Sequence, residues 1–507
     1  MIQKKKLSAN VVCSLLLQVC VIISGMILPR LFIGAYGSKV NGLVSGIQQF
    51  LGFISFGELG MGAVIQYNLY KPLAEEDWSA VSDIVLSAKR FFNRLLVLIL
   101  IYIGLLALLF PLRTKGEFDY LFTLTLVLAI SFSYVMQYYF GMAYKQLLDA
   151  NQLSFVRIVP QVFQIVINVV VCYLLINAHT DVRIVKLVTS LIYSIQPLAI
   201  YIFAKIHYKK IDFKKTVTGE PIKQKWNGIM QHIAAVVLKD TDVVVLTLLS
   251  SLENVSIYAV YNLVINGIEV LIESVVSNLT AVFGDLYAKK EKGSLDHLFD
   301  RFELFYHFVI ALVFFCVARL IVPFVSVYTR EVTDANYIVP TFAIIISIAQ
   351  WLYCARIPYH LMIKAAGHYR QTQWSAIIEA AINVVVSVLS VRRFGLVGVA
   401  VGTAAAMLYR TIYYCIYLKT NILVRAIAKP VKIYIADILF FLLSWSGTSF
   451  FVLSDISYIA WIVLSIKVFL IALIIAIGVY GLLYFRQIKE YAIVIKNVFK
   501  KDRNPHI

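Results

Sequence analysis

The chain has 507 residues, of which 61% are hydrophobic and only 15% charged, with a mean hydropathy of +0.82. Ordinary soluble domains carry about a quarter charged residues and could not hide this much apolar surface, so the composition excludes a soluble globular protein and indicates a polytopic membrane protein. On such a chain the formal charge of +18 marks cytoplasmic loops rather than a nucleic-acid partner.

The N-terminus, "MIQKKK", runs straight into an apolar stretch. That stretch is longer than a secretory signal and has no small-residue cleavage site, so it reads as a retained first membrane helix. Apolar runs of about 20 residues bounded by polar clusters recur at 8–35, 41–66, 91–111, 119–144, 155–177, 184–205, 228–250, 256–284, 303–328, 337–363, 374–391, 396–418, 433–453 and 458–485. The fold class expected is therefore an all-α polytopic membrane protein with about 14 transmembrane helices. Only "RRFG" separates the eleventh run from the twelfth.

The second run contains "FISFGELGMGAVIQY", from Phe53 to Tyr67, with Glu58 among Gly57, Gly60 and Gly62. Its letters fit GxxGxG, but no soluble strand precedes them, so a phosphate loop is rejected. In a bilayer the stretch is expected to be a helix segment whose glycines let a neighbouring helix approach closely.

With the N-terminus inside, inner segments hold 31 of the 46 Lys and Arg residues and outer segments hold 9, among them Arg30, Arg183 and Lys186. This asymmetry predicts both termini in the cytoplasm and an even number of spans.

An internal repeat relates "YKQLLDANQLSFVRIVPQVFQIVINVVV" (Tyr144–Val171) to "YHLMIKAAGHYRQTQWSAIIEAAINVVV" (Tyr359–Val386) at an offset of 215. Tyr144 meets Tyr359, Ala150 meets Ala365, and "INVVV" meets "INVVV". The expected organisation is a six-helix lobe at 1–204, a basic cytoplasmic linker at 205–225, a second six-helix lobe at 226–420, and two extra helices with a basic tail at 421–507. Six spans per lobe give both lobes the same direction of threading, hence an axis along the membrane normal. Repeats of this kind are typical of secondary transporters.

Charge inside a span is costly and marks function. The residues so placed are Glu58, Arg94, Lys239, Asp240, Asp242, Glu269, Glu273, Arg319, Arg356, Glu379, Arg410, Asp437 and Lys467. Arg94 and Arg410 lie near cytoplasmic ends and are expected to snorkel to the interface. Glu269 and Glu273 are spaced i, i+4 and share a helix face. Lys239 and Asp242 are three apart and are expected to be able to pair. The offset of 215 carries Glu58 onto Glu273. The alternative to a polar cavity wall is an internally neutralised packing cluster.

No GxxxxGK[ST], HExxH or GxSxG pattern occurs, and the six cysteines form no CxxC pair. Nothing points to a nucleotide, a metal or another cofactor, or to an enzyme. Energy would then come from gradients, with H+ or Na+ as the coupling ion left open.

The segment "LPRLFIGAYGSKVNGLVSGIQQFLGFISFGELGMGAVIQYNLYKPLAEED" (28–77) resembles the start of polysaccharide repeat-unit flippases. These belong to the multidrug/oligosaccharidyl-lipid/polysaccharide exporter superfamily. "YG" after the first span, "ELGM" in the second, "LYKPLAEED", and "KDTDVVVLTLLSSLENVSIYAVYNLV" carry the resemblance. It implies two six-helix lobes around a hydrated cavity in a bacterial cell membrane. The implied substrate is an undecaprenyl-diphosphate-linked oligosaccharide, moved from the inner to the outer leaflet, with a polymerase and glycosyltransferases as working partners. Relatives that flip lipid II use cavity cations for the diphosphate. Arg30, Lys239, Arg319 and Arg356 are the candidates here, because a cation in a low-dielectric cavity attracts an anion strongly. Glu58, Asp240, Asp242, Glu269, Glu273 and Glu379 would bond sugar hydroxyls, balance the cations or carry protons. The rival readings are a cation-coupled drug antiporter of the same superfamily, and a membrane scaffold or glycosyltransferase.

Overall fold

Lipid offers the backbone no hydrogen bonds, so apolar segments must close their own, and helix does this locally. The computed structural model describes residues 2–58, 60–114, 116–212, 241–277, 279–289, 292–423 and 425–487, with 237 and 489. Among the described residues the regular elements are helical, without a β-strand. Twelve helical runs among them are long and apolar enough to cross a membrane. The first, Val12–Glu58, covers most of two of the expected spans, 8–35 and 41–66. Gly37, at φ 83 and ψ 170, breaks the helical geometry between them. The seventh expected span and the linker lie mostly outside the described residues, as does the basic tail. The other eleven expected spans each fall on one run.

The first compact unit comprises Met1–Leu263 and Glu331–Ala335. Its helices are α1 (Ile2–Gly52), α2 (Met61–Ala74), α3 (Trp78–Arg113), α4 (Tyr120–Met136), α5 (Met142–Ala150), α6 (Ser154–Asn177), α7 (Val182–Tyr193), α8 (Ile195–His207) and the first part of α9 (Leu252–Ser277). Carboxylates set three of the starts. Asp77, Asp119 and Asp181 each accept a backbone N–H at the first turn of α3, α4 and α7, satisfying donors that a helix leaves open. Arg183 holds the Asp181 carboxyl below the usual carboxylate range through a side-chain hydrogen bond, against the opposing effect of burial. The core of this unit runs along α3, from Val81 through Phe92 to Phe110, against Leu43, Ile47, Ile65, Leu126 and Leu147.

The second unit comprises Val264–Arg330 and Asn336–Ile507. It holds the rest of α9, α10 (Thr280–Ala288), α11 (Lys292–Tyr328), α12 (Pro340–Ala355), α13 (Ile357–Ala365), α14 (Tyr369–Phe394), α15 (Leu396–Asn421), α16 (Ala428–Thr448) and α17 (Tyr458–Leu483). "RRFG" does end a helix: Gly395, at φ 53, closes α14 and opens α15. Gly398 then lies against the Ser390 backbone, where an added Cβ would come within 2.6 Å of its carbonyl. Small residues make this a tight hairpin. The final pair, α16 and α17, is joined to α11 by an apolar core that includes Phe315, Phe440, Val468 and Ala472. At its centre Asp437 is fully buried, with His307 Nδ1 at 2.8 Å and the Tyr480 hydroxyl donating to its other oxygen.

Candidate functional site

The stretch around Glu58 is not a continuous helix. Phe53–Glu58 is a 3-10 turn, Gly60 takes a left-handed conformation at φ 68, and α2 starts at Met61. A left-handed residue cannot sit inside a right-handed helix, which corrects the expectation of a single helical segment. The expected close approach is present on either side of the break. Gly57 faces the Leu95 side chain, and Gly62 faces the Gln146 amide, which an added Cβ would meet at 2.8 Å. Glu58 therefore ends a short turn and is not held by helix geometry. Its Oε1 accepts a hydrogen bond of 2.6 Å from the Tyr138 hydroxyl. Tyr138 sits in a π-helical turn, Gln137–Gly141, between α4 and α5. Such turns are rare and concentrate at functional positions.

The second unit repeats this pair. The Tyr353 hydroxyl donates to Glu273 Oε1 at 2.7 Å. Each member stands 215 residues after its counterpart, and the pairs share one sequence separation of 80. The same offset relates Tyr144 to Tyr359 and Asn168 to Asn383, each nearly inaccessible. It also relates Asn41 to Ser256, and these two counterparts bond to each other, Asn41 Nδ2 donating to Ser256 Oγ at 2.8 Å in a buried contact. The offset read from sequence thus organises the side-chain environments.

The repeats differ in charge. Gln350 and Tyr353 of α12 and Arg356, which caps its C-terminus, recur every three residues along one side. Gln350 donates to Glu269 Oε2 at 2.6 Å and Tyr353 to Glu273. The Arg356 guanidinium lies 4.9 Å from the Tyr353 ring centroid and donates to Glu379 Oε1 on α14. Glu379 Oε2 faces Arg410 Nη1 of α15 at 3.3 Å, and Arg410 also donates to the Tyr414 hydroxyl at 2.6 Å. Arg356, Glu379 and Arg410 are 6%, 4% and 5% exposed. Arg410 was expected to snorkel; it is buried because Glu379 is within reach. At the positions 215 earlier than Arg356 and Glu379 the chain has Gly141 and Gln164. Gly141 lines a pocket of about 110 Å³ with Lys145, Arg157, Gln161 and Gln196. Two cations on one buried carboxylate are thus a feature of the second repeat.

The remaining candidates are dispersed. Asp242 is 2% exposed and accepts from the Tyr258 hydroxyl at 3.0 Å. Arg30 is 3.6 Å from Glu331, with both side chains partly in the open. Arg319 donates to the Thr448 and Phe451 carbonyls at 3.2 and 2.7 Å and lies over Trp445, so it fastens the end of α16 to α11. Arg94 and Lys467 are exposed on their helices. Lys239 and Asp240 lie outside the described residues, and with them the expected pairing of Lys239 with Asp242. Among the described residues no cluster of His, Cys, Asp and Glu could hold a metal ion.

Three residues were missed. Tyr138 and Tyr353 carry no charge, so a search for intramembrane charge passes over them; the offset of 215 would have linked them. Lys186 was counted with an outer segment, yet α7 contains it and buries it.

No protein-family model and no curated protein matches the sequence. Solved structures do match the fold. A lipid II flippase, MurJ, in an inward closed conformation superposes with a TM-score of 0.68 at 15% identity, over 94% of this chain and 100% of that one. An inward-facing multidrug resistance MATE family transporter of the MOP superfamily gives 0.66 at 13% identity, over 79% of this chain and 95% of that one. A MATE protein in complex with MaD3S gives 0.52 at 12% identity, over 81% and 96%. The chain thus shares its fold with these membrane transporters.

Proposed function

We propose that the protein flips undecaprenyl-diphosphate-linked oligosaccharide repeat units from the inner to the outer leaflet by alternating access, for surface polysaccharide synthesis. The extent of the shared fold carries this reading over drug antiport. The lipid II flippase covers 94% of this chain and is covered completely, whereas the MATE transporter of similar score covers 79%. The proposed setting is a bacterial cell membrane, and the 31-to-9 distribution of basic residues supports both termini in the cytoplasm.

The groups described in each unit are consistent with such a cycle. Each Glu–Tyr pair is a hydrogen bond from a hydroxyl to a carboxyl oxygen, and such a bond is stronger to an ionised acceptor than to a neutral one. Protonating Glu58 or Glu273 would weaken it and release the tyrosine-bearing segment, so these carboxylates are the proposed coupling groups for H+, with Na+ as the alternative ion. Arg356 and Arg410 supply excess positive charge beside Glu379 for the diphosphate, and Glu269 with Gln350 supplies bonding groups for sugar hydroxyls. A polymerase and glycosyltransferases are the proposed working partners.

Deletion of the gene tests the reading. Build-up of lipid-linked intermediates on the inner leaflet is the expected result. Normal surface polysaccharide together with new drug sensitivity would reject it in favour of the antiporter.

A further inference from the structure

Lys186 lies on α7 and is only 9% exposed. Its ammonium sits 3.7 Å from the centroid of the Phe32 ring. Among the described residues no carboxylate is within ion-pair distance of it. The acid nearest in sequence, Asp181, is engaged with Arg183 through two hydrogen bonds of 2.9 and 2.8 Å. A buried ammonium over an aromatic face with no carboxylate beside it is costly to keep, and a Phe ring is a poorer partner for a cation than Trp.

The ammonium borders a cavity of about 350 Å³ formed within the first unit by α1, α6, α7 and the start of α9. Its polar lining includes Ser24, Asn41, Gln48, Asn168, Thr189 and Tyr193, and no Asp or Glu lines it. A cavity that offers one ammonium with amide and hydroxyl donors, and no carboxylate, is matched to an oxyanion. It opposes a metal cation, which would need anionic oxygens. Lysine serves phosphoryl groups as a point charge, and the volume falls within the range of small-ligand sites.

We propose that Lys186 anchors a phosphoryl-binding site in the first unit, with Asn168 and Thr189 as flanking donors. It deepens the proposed function and rests on it only for the source of the phosphoryl group: the diphosphate of a polyprenyl carrier, as opposed to an ordinary anionic phospholipid.

The test is equilibrium binding to the purified full-length protein in neutral detergent, with inorganic diphosphate, undecaprenyl diphosphate and phosphatidylglycerol as separate probes. Lys186→Gln should weaken inorganic diphosphate binding by about 10- to 100-fold, as loss of a hydrogen bond to a charged group implies, while Lys186→Arg retains most of it. Lys186→Gln removes an uncompensated buried charge, so its melting temperature should equal or exceed that of the wild type. Thr189→Val, which keeps the cation, provides a second variant and should weaken binding about 5-fold. Tighter binding of undecaprenyl diphosphate than of phosphatidylglycerol assigns the site to the carrier; the reverse assigns it to bulk lipid, and either order supports the site. Equal binding by wild type and Lys186→Gln, or no diphosphate binding by the wild type, overturns it. Binding is read without transport, so a protein that fails to flip glycan but binds diphosphate rejects the proposed function and leaves this site standing.

Discussion

Replacing Glu379 by Gln keeps the shape of the side chain and removes the charge shared by two arginines. At 3.3 Å from Arg410, and with an effective dielectric of about 20, the attraction lost from that pair alone is roughly 5 kcal/mol. The Arg356 pair adds to this, and the cost of burying the carboxylate, no longer incurred, subtracts from it. Removing one partner from a buried ion pair costs about 3–5 kcal/mol in net stability, and Glu379→Gln should fall in that range. The assay is reversible unfolding in mixed micelles, followed by tryptophan fluorescence with Trp351 of α12 as a local reporter. A triple change, Arg356→Met with Glu379→Leu and Arg410→Leu, should recover the lost stability, because well-packed apolar replacement of buried ions is often neutral or better. It should not recover export if the cations serve the substrate. A loss below about 1 kcal/mol for Glu379→Gln, the size seen for solvated surface pairs, would refute the burial on which this reasoning stands.

Glu58→Gln and Glu273→Gln should each impair export while folded protein persists in the membrane, measured by surface polysaccharide alongside size-exclusion of the purified protein; full activity in both would make these carboxylates structural. Tyr138→Phe and Tyr353→Phe each remove one hydrogen bond to an acid, so each should cost about 1.5–3 kcal/mol in the same unfolding assay and lower export as the glutamate changes do. Gly42 meets the Leu252 backbone with no room for a Cβ, so Gly42→Ala should destabilise by about 1–3 kcal/mol through overpacking, with a matching fall in yield of folded protein. Asp437→Ala leaves His307 and Tyr480 without their buried acceptor, at about 1–3 kcal/mol per orphaned group, and should make the 449–457 connection between α16 and α17 open to limited proteolysis.

Hydropathy made the helices legible because lipid demands long apolar runs, and the gap expected between 35 and 41 brackets Gly37, where α1 breaks. The repeat was legible for a related reason. Tyr144 and Tyr359, or Asn168 and Asn383, occupy equivalent buried positions that constrain side-chain size and polarity. What stayed hidden depends on partners distant in sequence. Arg410 near a span end reads as a snorkelling cation until Glu379 on α14 is found beside it. Arg356 finds the same carboxylate 23 residues away. The break at Gly60 is a matter of backbone dihedral, which "GELGMG" permits without requiring. Lys186 opens the run at 184–205 and stands so close to Asp181 and Arg183 that the charge pattern groups it with the outer segment, whereas the Asp181 cap starts α7 at Val182 and carries Lys186 into the buried face.

Transfer of a fluorescent undecaprenyl-diphosphate-linked oligosaccharide across proteoliposomes, read by quenching in the outer leaflet, tests the flippase assignment most directly. The account predicts saturable transfer well above that of protein-free liposomes, lost when Glu58→Gln and Glu273→Gln are combined. Transfer no faster than in protein-free liposomes, or unchanged in the double variant, would contradict it.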